Sequence, residues 1–317
     1  MSMPMHPNTL AGSRSFARAS GAAVILIGGL VLMGWLFDIE TAKSIIPGMI
    51  AMNPGGTAVA FLLAGVSLWI QSAPASRRLR AVAMACAGVV VLWAVLRLGG
   101  YLLAWDGGPD QLLFREKLAL EDRRAGYPNR MAPNTAAALF LVGVALLLLE
   151  AKSRRGVLAG QFAALATAII ALLAIIGYAY SALPLPGIEQ FIPMALNTAV
   201  ALALISGGIL CARPDRGVMA IVTSGDAGGV MARRLLPAVI LIPSLVGWVG
   251  WLGRQEGMLD RVMALSLFVL TNIVILTALI WWNAASLNRM DRGRLYRSHG
   301  TRAGGLKAAQ DFIGGVL

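Results

Sequence analysis

The chain has 317 residues, of which 58% are hydrophobic and 13% are charged, and its mean hydropathy is +0.74. Soluble domains carry about 25% charged residues, so this composition excludes an ordinary soluble globular protein. The formal net charge is +12, but the basic residues flank apolar segments without a nucleic-acid motif, so we expect membrane lipids and no nucleic acid as partners.

Eight apolar segments are long enough to cross a bilayer, which takes about 20 residues for roughly 30 Å of hydrocarbon. In chain order they cover about 20–37, 52–71, 81–105, 132–149, 157–179, 194–212, 235–253 and 262–283. The sequence therefore predicts an all-α integral membrane protein of eight transmembrane helices. Its parts are an N-terminal cytoplasmic tail over 1–19, a membrane domain over 20–285 and a short C-terminal cytoplasmic tail over 286–317.

The basic residues between these segments predict the orientation, because short loops rich in Lys and Arg stay on the cytoplasmic side. With the N-terminus inside, most of the 27 basic residues fall in inner segments such as "SRRLR" and "KSRR". The outer segments carry similar numbers of basic and acidic residues. This asymmetry predicts that both termini are cytoplasmic.

Three of the apolar segments begin alike: "MNPGGTAVAFLLAGVSLWI", "RMAPNTAAALFLVGVALLLLE" and "PMALNTAVALALISGGILCAR". Aligned on Thr57, Thr135 and Thr198, they share Thr-Ala-x-Ala and a later Gly or Ser at one offset. Each begins an even-numbered segment at the predicted outer face. The first six spans are therefore interpreted as three repeated helical hairpins, followed by a final pair.

The shared start has a structural and a functional interpretation. Asn and Thr accept hydrogen bonds from the unpaired N–H groups of a helix start, and the small residues allow close helix packing. Alternatively, three helix N-termini converge with Arg97 of the third span on an outward-facing ligand pocket, Arg97 otherwise pairing or snorkelling. The residues of this candidate pocket or helix-packing cluster are Arg97, Thr57, Asn134, Thr135, Asn197 and Thr198.

The sequence offers little for catalysis. Its two histidines, His6 and His299, lie outside the predicted membrane segments, and no His, Cys or carboxylate cluster resembles a metal site. The spans lack a central acid of the kind that ion pumps use, and no nucleophile stands beside a base. We therefore expect no enzyme activity, no catalytic residues, no cofactor and no metal.

Two segments outside the spans are interpreted as amphipathic helices. The longest outer loop, "DGGPDQLLFREKLALEDRRAGYPNR", alternates charged residues with leucines such as Leu118 and Leu120. The C-terminal "GGLKAAQDFIGGVL" places Leu306 and Phe312 at helical spacing, with a disordered end as the alternative. In this interpretation the outer-loop helix lies at the membrane surface, and the C-terminal helix lies on the membrane surface or on a partner.

The segments "DQLLFRE", "RMAPNTAAALFLVGVALLL", "PMALNTAVALAL", "CARPDRGVMAIVTSGDAGGVMARRLLPAVILIPSLVGW" and "LIWWNAASLNRMD" together resemble the N-terminal multi-pass membrane sensor module of bacterial sensor histidine kinases and PAS-containing signalling proteins. The resemblance covers about 20–292 and implies a place in the bacterial inner membrane. Only "GRLYRSHGTRAGGLKAAQDFIGGVL" follows it, so we expect the module without its output domains and carry over no kinase residue.

The leading hypothesis is a non-enzymatic sensor-type module. It would bind a membrane or periplasmic signal and relay it to a partner protein through the cytoplasmic tail or the helix faces. The alternative is a structural or accessory subunit of a larger membrane complex, for example an energy-converting one. A small-molecule transporter ranks third, because the spans lack buried acids.

Overall fold

A computed structural model of the chain describes residues 7–46, 49–103, 108–126, 128–180, 194–258, 260 and 262–283. The regular elements in these ranges are helices. They are α1 (Pro7–Phe37), α2 (Glu40–Lys43), a π-helical turn (Pro54–Ala58) that runs into α3 (Val59–Gln71), α4 (Arg77–Leu102), a 3-10 turn (Pro109–Gln111), α5 (Arg115–Ala125), α6 (Pro133–Leu148), α7 (Arg154–Tyr180), α8 (Leu196–Ala212), α9 (Gly217–Thr223), α10 (Ala227–Gln255) and α11 (Val262–Asn283).

The chain forms two compact units, one up to Gly225 and one from Asp226 onward. In the first unit, six helices contact each other in a closed ring in the order α1, α3, α4, α6, α7, α8, and α8 returns to α1. We call these six helices the bundle. Helices α3, α6 and α8 also contact one another, so they form its centre. Their buried side chains include Phe61, Leu139 and Leu202, and these three central helices are the ones that begin with the Thr-Ala-x-Ala sequence.

The small residue at the shared offset allows close approach in two of the three cases. A Cβ on Gly65 of α3 would lie 2.8 Å from the carbonyl oxygen of Gly21 in α1, and one on Gly143 of α6 would lie 3.1 Å from the nitrogen of Val91 in α4. Only glycine fits such contacts without displacing the neighbouring backbone. Ser206, at the same offset in α8, is buried and donates to the carbonyl of Ala203 at 3.1 Å.

Among the described residues, six helices are long and apolar enough to span a membrane, and α8 with α9 makes a seventh if this pair, bent by 81°, is one span. This supports a multi-pass membrane protein. Eight spans were expected from the sequence, but α6 has only 16 residues, or about 24 Å of rise. Pro133 sets its first turn and the charged Glu150 follows its last, so the apolar stretch ends early.

The second unit contains α10 and α11. Pro237 and Pro243 lie inside α10, where proline removes a backbone donor. Apolar side chains of both helices are exposed, among them Leu245, Val249 and Leu270. The C-terminal tail expected over 286–317, with its amphipathic segment, lies outside the described residues.

Candidate functional site

Arg97 lies inside the protein and is paired. Its side chain is 3% exposed, and its Nε lies 2.9 Å from Oδ2 of Asp110, whose side chain is also 3% exposed. The guanidinium also stacks over the ring of Tyr101, 4.2 Å from the ring centre. Of the roles expected for Arg97, ion pairing is the one that this geometry matches, and the partner is an acid from the segment between α4 and α5.

Met131 connects this ion pair to the start of α6. Its N–H donates to Oδ2 of Asp110 at 3.2 Å. Its carbonyl oxygen accepts from the hydroxyl of Tyr101 at 2.8 Å and from Nε of Arg97 at 3.4 Å. Because Met131 stands two residues before Pro133, these bonds hold the first turn of α6 against the end of α4.

Asn53 connects the same pair to the start of α3. Its Oδ1 accepts from the N–H of Gly56 at 2.6 Å, which caps the π-helical turn. Its Nδ2 donates to the carbonyl oxygens of Asp110 at 3.3 Å and Asn129 at 2.9 Å. Gly56 has to be glycine here, because a Cβ would collide with the Asp110 carboxylate. We call Asn53, Arg97, Tyr101, Asp110 and Met131 the polar junction.

A second set of bonds brings the start of α8 to the segment before α3. The amide of Asn197 donates to the carbonyl oxygen of Lys43 at 2.9 Å. The same carbonyl oxygen also accepts from the N–H of Met52 at 3.0 Å. The indole of Trp35 donates to the carbonyl oxygen of Met52 at 2.9 Å. The Lys43 ammonium lies over the Trp35 ring, 4.8 Å from its centre, and 3.2 Å from the Asp38 carboxylate. The starts of α3, α6 and α8 are thus connected through one network.

Helix α5 covers the end of α1. Lys117 donates to the carbonyl oxygens of Trp35 at 2.8 Å and Leu36 at 2.9 Å and to Oδ2 of Asp38 at 2.7 Å. A cation at this position satisfies the last carbonyls of a helix and its negative dipole end. The helix expected in the outer loop is therefore present, with Leu118 buried and Leu120 exposed.

The two acids of this region have opposite environments. Burial raises the pKa of the Asp110 carboxyl, while Arg97 and the N–H of Met131 act in the opposite direction. Hydrogen bonds from Lys117 and Lys43 lower the pKa of the exposed Asp38. No described residue forms a hydrogen bond with Nη2 of Arg97 or with Oδ1 of Asp110 in this buried pair.

The six residues selected from the sequence have different environments. Thr57, Thr135 and Thr198 are buried in the first turns of the central helices. Asn197 belongs to the connected network, whereas Asn134 is exposed and its Oδ1 accepts from the next backbone N–H at 2.9 Å. Neither of the two cavities described for the protein is lined by any of the six.

Of the polar junction, sequence reasoning selected Arg97 and missed Asn53, Tyr101, Asp110 and Met131; in the neighbouring set of bonds it missed Lys43. A signal existed for Asn53, because it stands four residues before Thr57, near the start of the quoted segment "MNPGGTAVAFLLAGVSLWI". The sequence indicated only that a partner for Arg97 had to come from a neighbouring loop, since the spans offer no acid, and it did not single out Asp110 among the loop acids. Lys43 contributes through its backbone carbonyl, which a residue pattern does not reveal.

Comparisons of the chain with protein-family models, curated proteins and solved structures find no match. In the described part of the chain, no group of three or more His, Cys, Asp or Glu side chains is placed to hold a metal ion. The functional argument therefore depends on the polar junction itself.

Proposed function

We propose that the chain is a sensor-type module of the bacterial inner membrane that binds a membrane or periplasmic signal at the polar junction and relays it to a partner protein. The observation that carries this proposal is the buried pair of Arg97 and Asp110. A ligand that competes for either charge would release the end of α4 from the starts of α3 and α6.

The energetics of buried charges support a switching role. Removing two ions from water costs several kcal/mol each, and well-packed apolar residues often replace such a pair without loss of stability. The buried pair is therefore only weak evidence that it stabilises the fold. Such a pair suits a structural element that switches between two conformations. No described residue forms a hydrogen bond with Arg97 Nη2 or Asp110 Oδ1, which supports an anionic or strongly hydrogen-bonding ligand.

The proposal includes eight spans with both termini in the cytoplasm, arranged as three repeated hairpins and a final pair. Contacts between α1 and α3, α4 and α6, and α7 and α8 support the hairpins. The short α6 would cross with the help of its flanking residues and local bilayer thinning. The basic segments between the hairpins support the orientation.

The alternative function is an accessory subunit of a larger membrane complex. The exposed apolar side chains of α10 and α11, such as Leu245 and Leu270, favour it, because helices of another subunit can cover them in place of lipid. The two functions differ in the partner that each requires.

Purification of the full chain from its native membranes in mild detergent, followed by mass spectrometry, tests the proposal. The variants are Asp110→Asn and, as a control, Glu116→Gln, which removes one negative charge from an exposed position on α5. We expect a kinase-like partner to copurify with all forms, and its phosphorylation in membranes to change for Asp110→Asn alone. A fixed set of energy-converting subunits, or equal phosphorylation in all forms, would replace the sensor proposal with the accessory-subunit function.

A further inference from the structure

A cavity of about 550 Å³ lies at the other end of the bundle, between the α6–α7 turn and the α8–α9 bend. Three cationic side chains line one part of it, and apolar side chains line the rest. The residues used below are Lys152, Arg154, Arg216, Leu158, Val218 and Ile221. No residue of the polar junction contributes to this cavity.

The wall on the α9 side is held in place by Gln161 of α7, which is 6% exposed. Its Nε2 donates to the carbonyl oxygen of Arg216 at 2.9 Å, and its Oε1 accepts from the N–H of Val218 at 2.7 Å. Gly217, between them, has φ +58°, and a side chain there would collide with Gln161. These contacts therefore fix the backbone of the α8–α9 bend. They also fix the backbone position from which the Arg216 side chain extends.

The positive charge around the cavity is only partly neutralised. In the portion of the chain that the structure describes, Lys152 and Arg154 have no carboxylate within 4 Å, and Nε of Arg216 lies 3.6 Å from Asp215. Glu150 is shared by two other cations, Arg213 at 3.2 Å and Arg80 at 3.8 Å. Among the described residues, only one of the three cations at the cavity thus has a neighbouring carboxylate, and the cavity keeps a net positive charge.

We propose that this cavity binds the phosphate of an anionic phospholipid headgroup. Lys152, Arg154 and Arg216 would contact the phosphate oxygens, since basic pockets between membrane helices suit such headgroups. The proposal goes beyond the sensor function and rests only on the membrane location of the chain.

The apolar wall decides between a lipid and free phosphate. Leu158 and Val218 are partly buried, and Ile221 is 60% exposed on α9. Free phosphate makes no favourable contact with apolar side chains, whereas the glycerol and acyl part of a phospholipid packs against them. The short α9 then lies at the interface as an apolar support beside the headgroup.

The test titrates the full-length protein in detergent with phosphatidylglycerol and counts bound lipid by native mass spectrometry. Lys152→Gln/Arg154→Gln is compared with a control, Arg77→Gln/Arg78→Gln, which removes the same charge from exposed positions at the start of α4. We expect roughly a tenfold or larger loss of affinity for the first variant and less than about a twofold change for the control.

Two further arms distinguish the source of the phosphate. Ile221→Ser is expected to weaken phosphatidylglycerol binding several-fold, and inorganic phosphate at equal concentration is expected to leave bound lipid in place. Equal losses in the two double variants, or no loss in either, would overturn the site. Displacement by inorganic phosphate, or no effect of Ile221→Ser, would overturn the lipid as its occupant.

Discussion

The two ends of the bundle treat charge in opposite ways. At the Arg97 end, the guanidinium and the Asp110 carboxylate are almost completely buried and face each other at 2.9 Å. At the Lys152 end, the cations remain exposed around an open cavity. Both ends consist of polar residues beside apolar helices, so composition does not separate them. Burial distinguishes the two ends, because a buried charge needs a partner within the protein, whereas an exposed charge remains available to a ligand.

The largest expected effect follows from removing the buried cation. Arg97→Ala should lower the free energy of unfolding by about 3–5 kcal/mol, because Asp110 is left as a buried, uncompensated charge. Arg154→Ala, which removes a cation from the exposed end, should change it by no more than about 0.5 kcal/mol. Denaturant unfolding of the full chain in detergent measures both values.

A double variant separates pairing from packing in this experiment. Arg97→Leu/Asp110→Leu should recover most of the stability that Arg97→Ala loses, since neither charge remains buried alone. If the Arg97→Ala and Arg154→Ala proteins had equal free energies of unfolding, the proposed difference between a buried, paired cation and an exposed one would be wrong.

Two copies of the shared helix start offer a smaller, matched comparison. Asn197→Ala should cost about 1–2 kcal/mol, because the Lys43 carbonyl loses a buried donor. Asn134→Ala should cost less than about 0.5 kcal/mol, because that side chain is exposed. Thermal unfolding of the two variants side by side checks the order. A larger effect at Asn134 would contradict the described network.

Acidification gives the smallest effect. Because Lys117 and Lys43 lower the pKa of Asp38 in the folded protein, its contribution is present above the unfolded value of about 3.9 and disappears as the pH falls through the lower folded value. The Tm difference between wild type and Asp38→Asn should therefore shrink below about pH 4. A difference that stays constant or grows on acidification would be inconsistent with these bonds.

Hydropathy was sufficient to predict where helices form. Segments such as 157–179 and 262–283 correspond to α7 (Arg154–Tyr180) and α11 (Val262–Asn283). Hydropathy was less informative on span length, because the length of α6 depends on Pro133 at its start and on the turn that precedes α7 at its end. The hydropathy of a segment predicts that a helix forms there. The number of helices long enough to span the membrane also depends on the turns that connect them.

The candidate site was predictable in part. Arg97 was identifiable because a charge inside an apolar segment needs a partner. Asp110 was not, because it lies in a loop rich in charges, and only tertiary structure distinguishes a buried acid from a solvated one. Asn134 and Asn197 both precede Thr-Ala, and the bond that distinguishes them goes to the Lys43 carbonyl, which lies far from both in the chain.

The contact between α8 and α1 has a consequence for biogenesis. Gly208 of α8 lies against Ser20 of α1, where a Cβ on the glycine would come within 2.8 Å of the serine Cβ. Since α1 is synthesised first and α8 last among the helices of the bundle, nascent α1 has to wait in the membrane with this surface uncovered. Insertion of α8 is therefore the step that closes the ring of helices, and a chain stalled before this helix would leave the α8-facing surface of α1 uncovered.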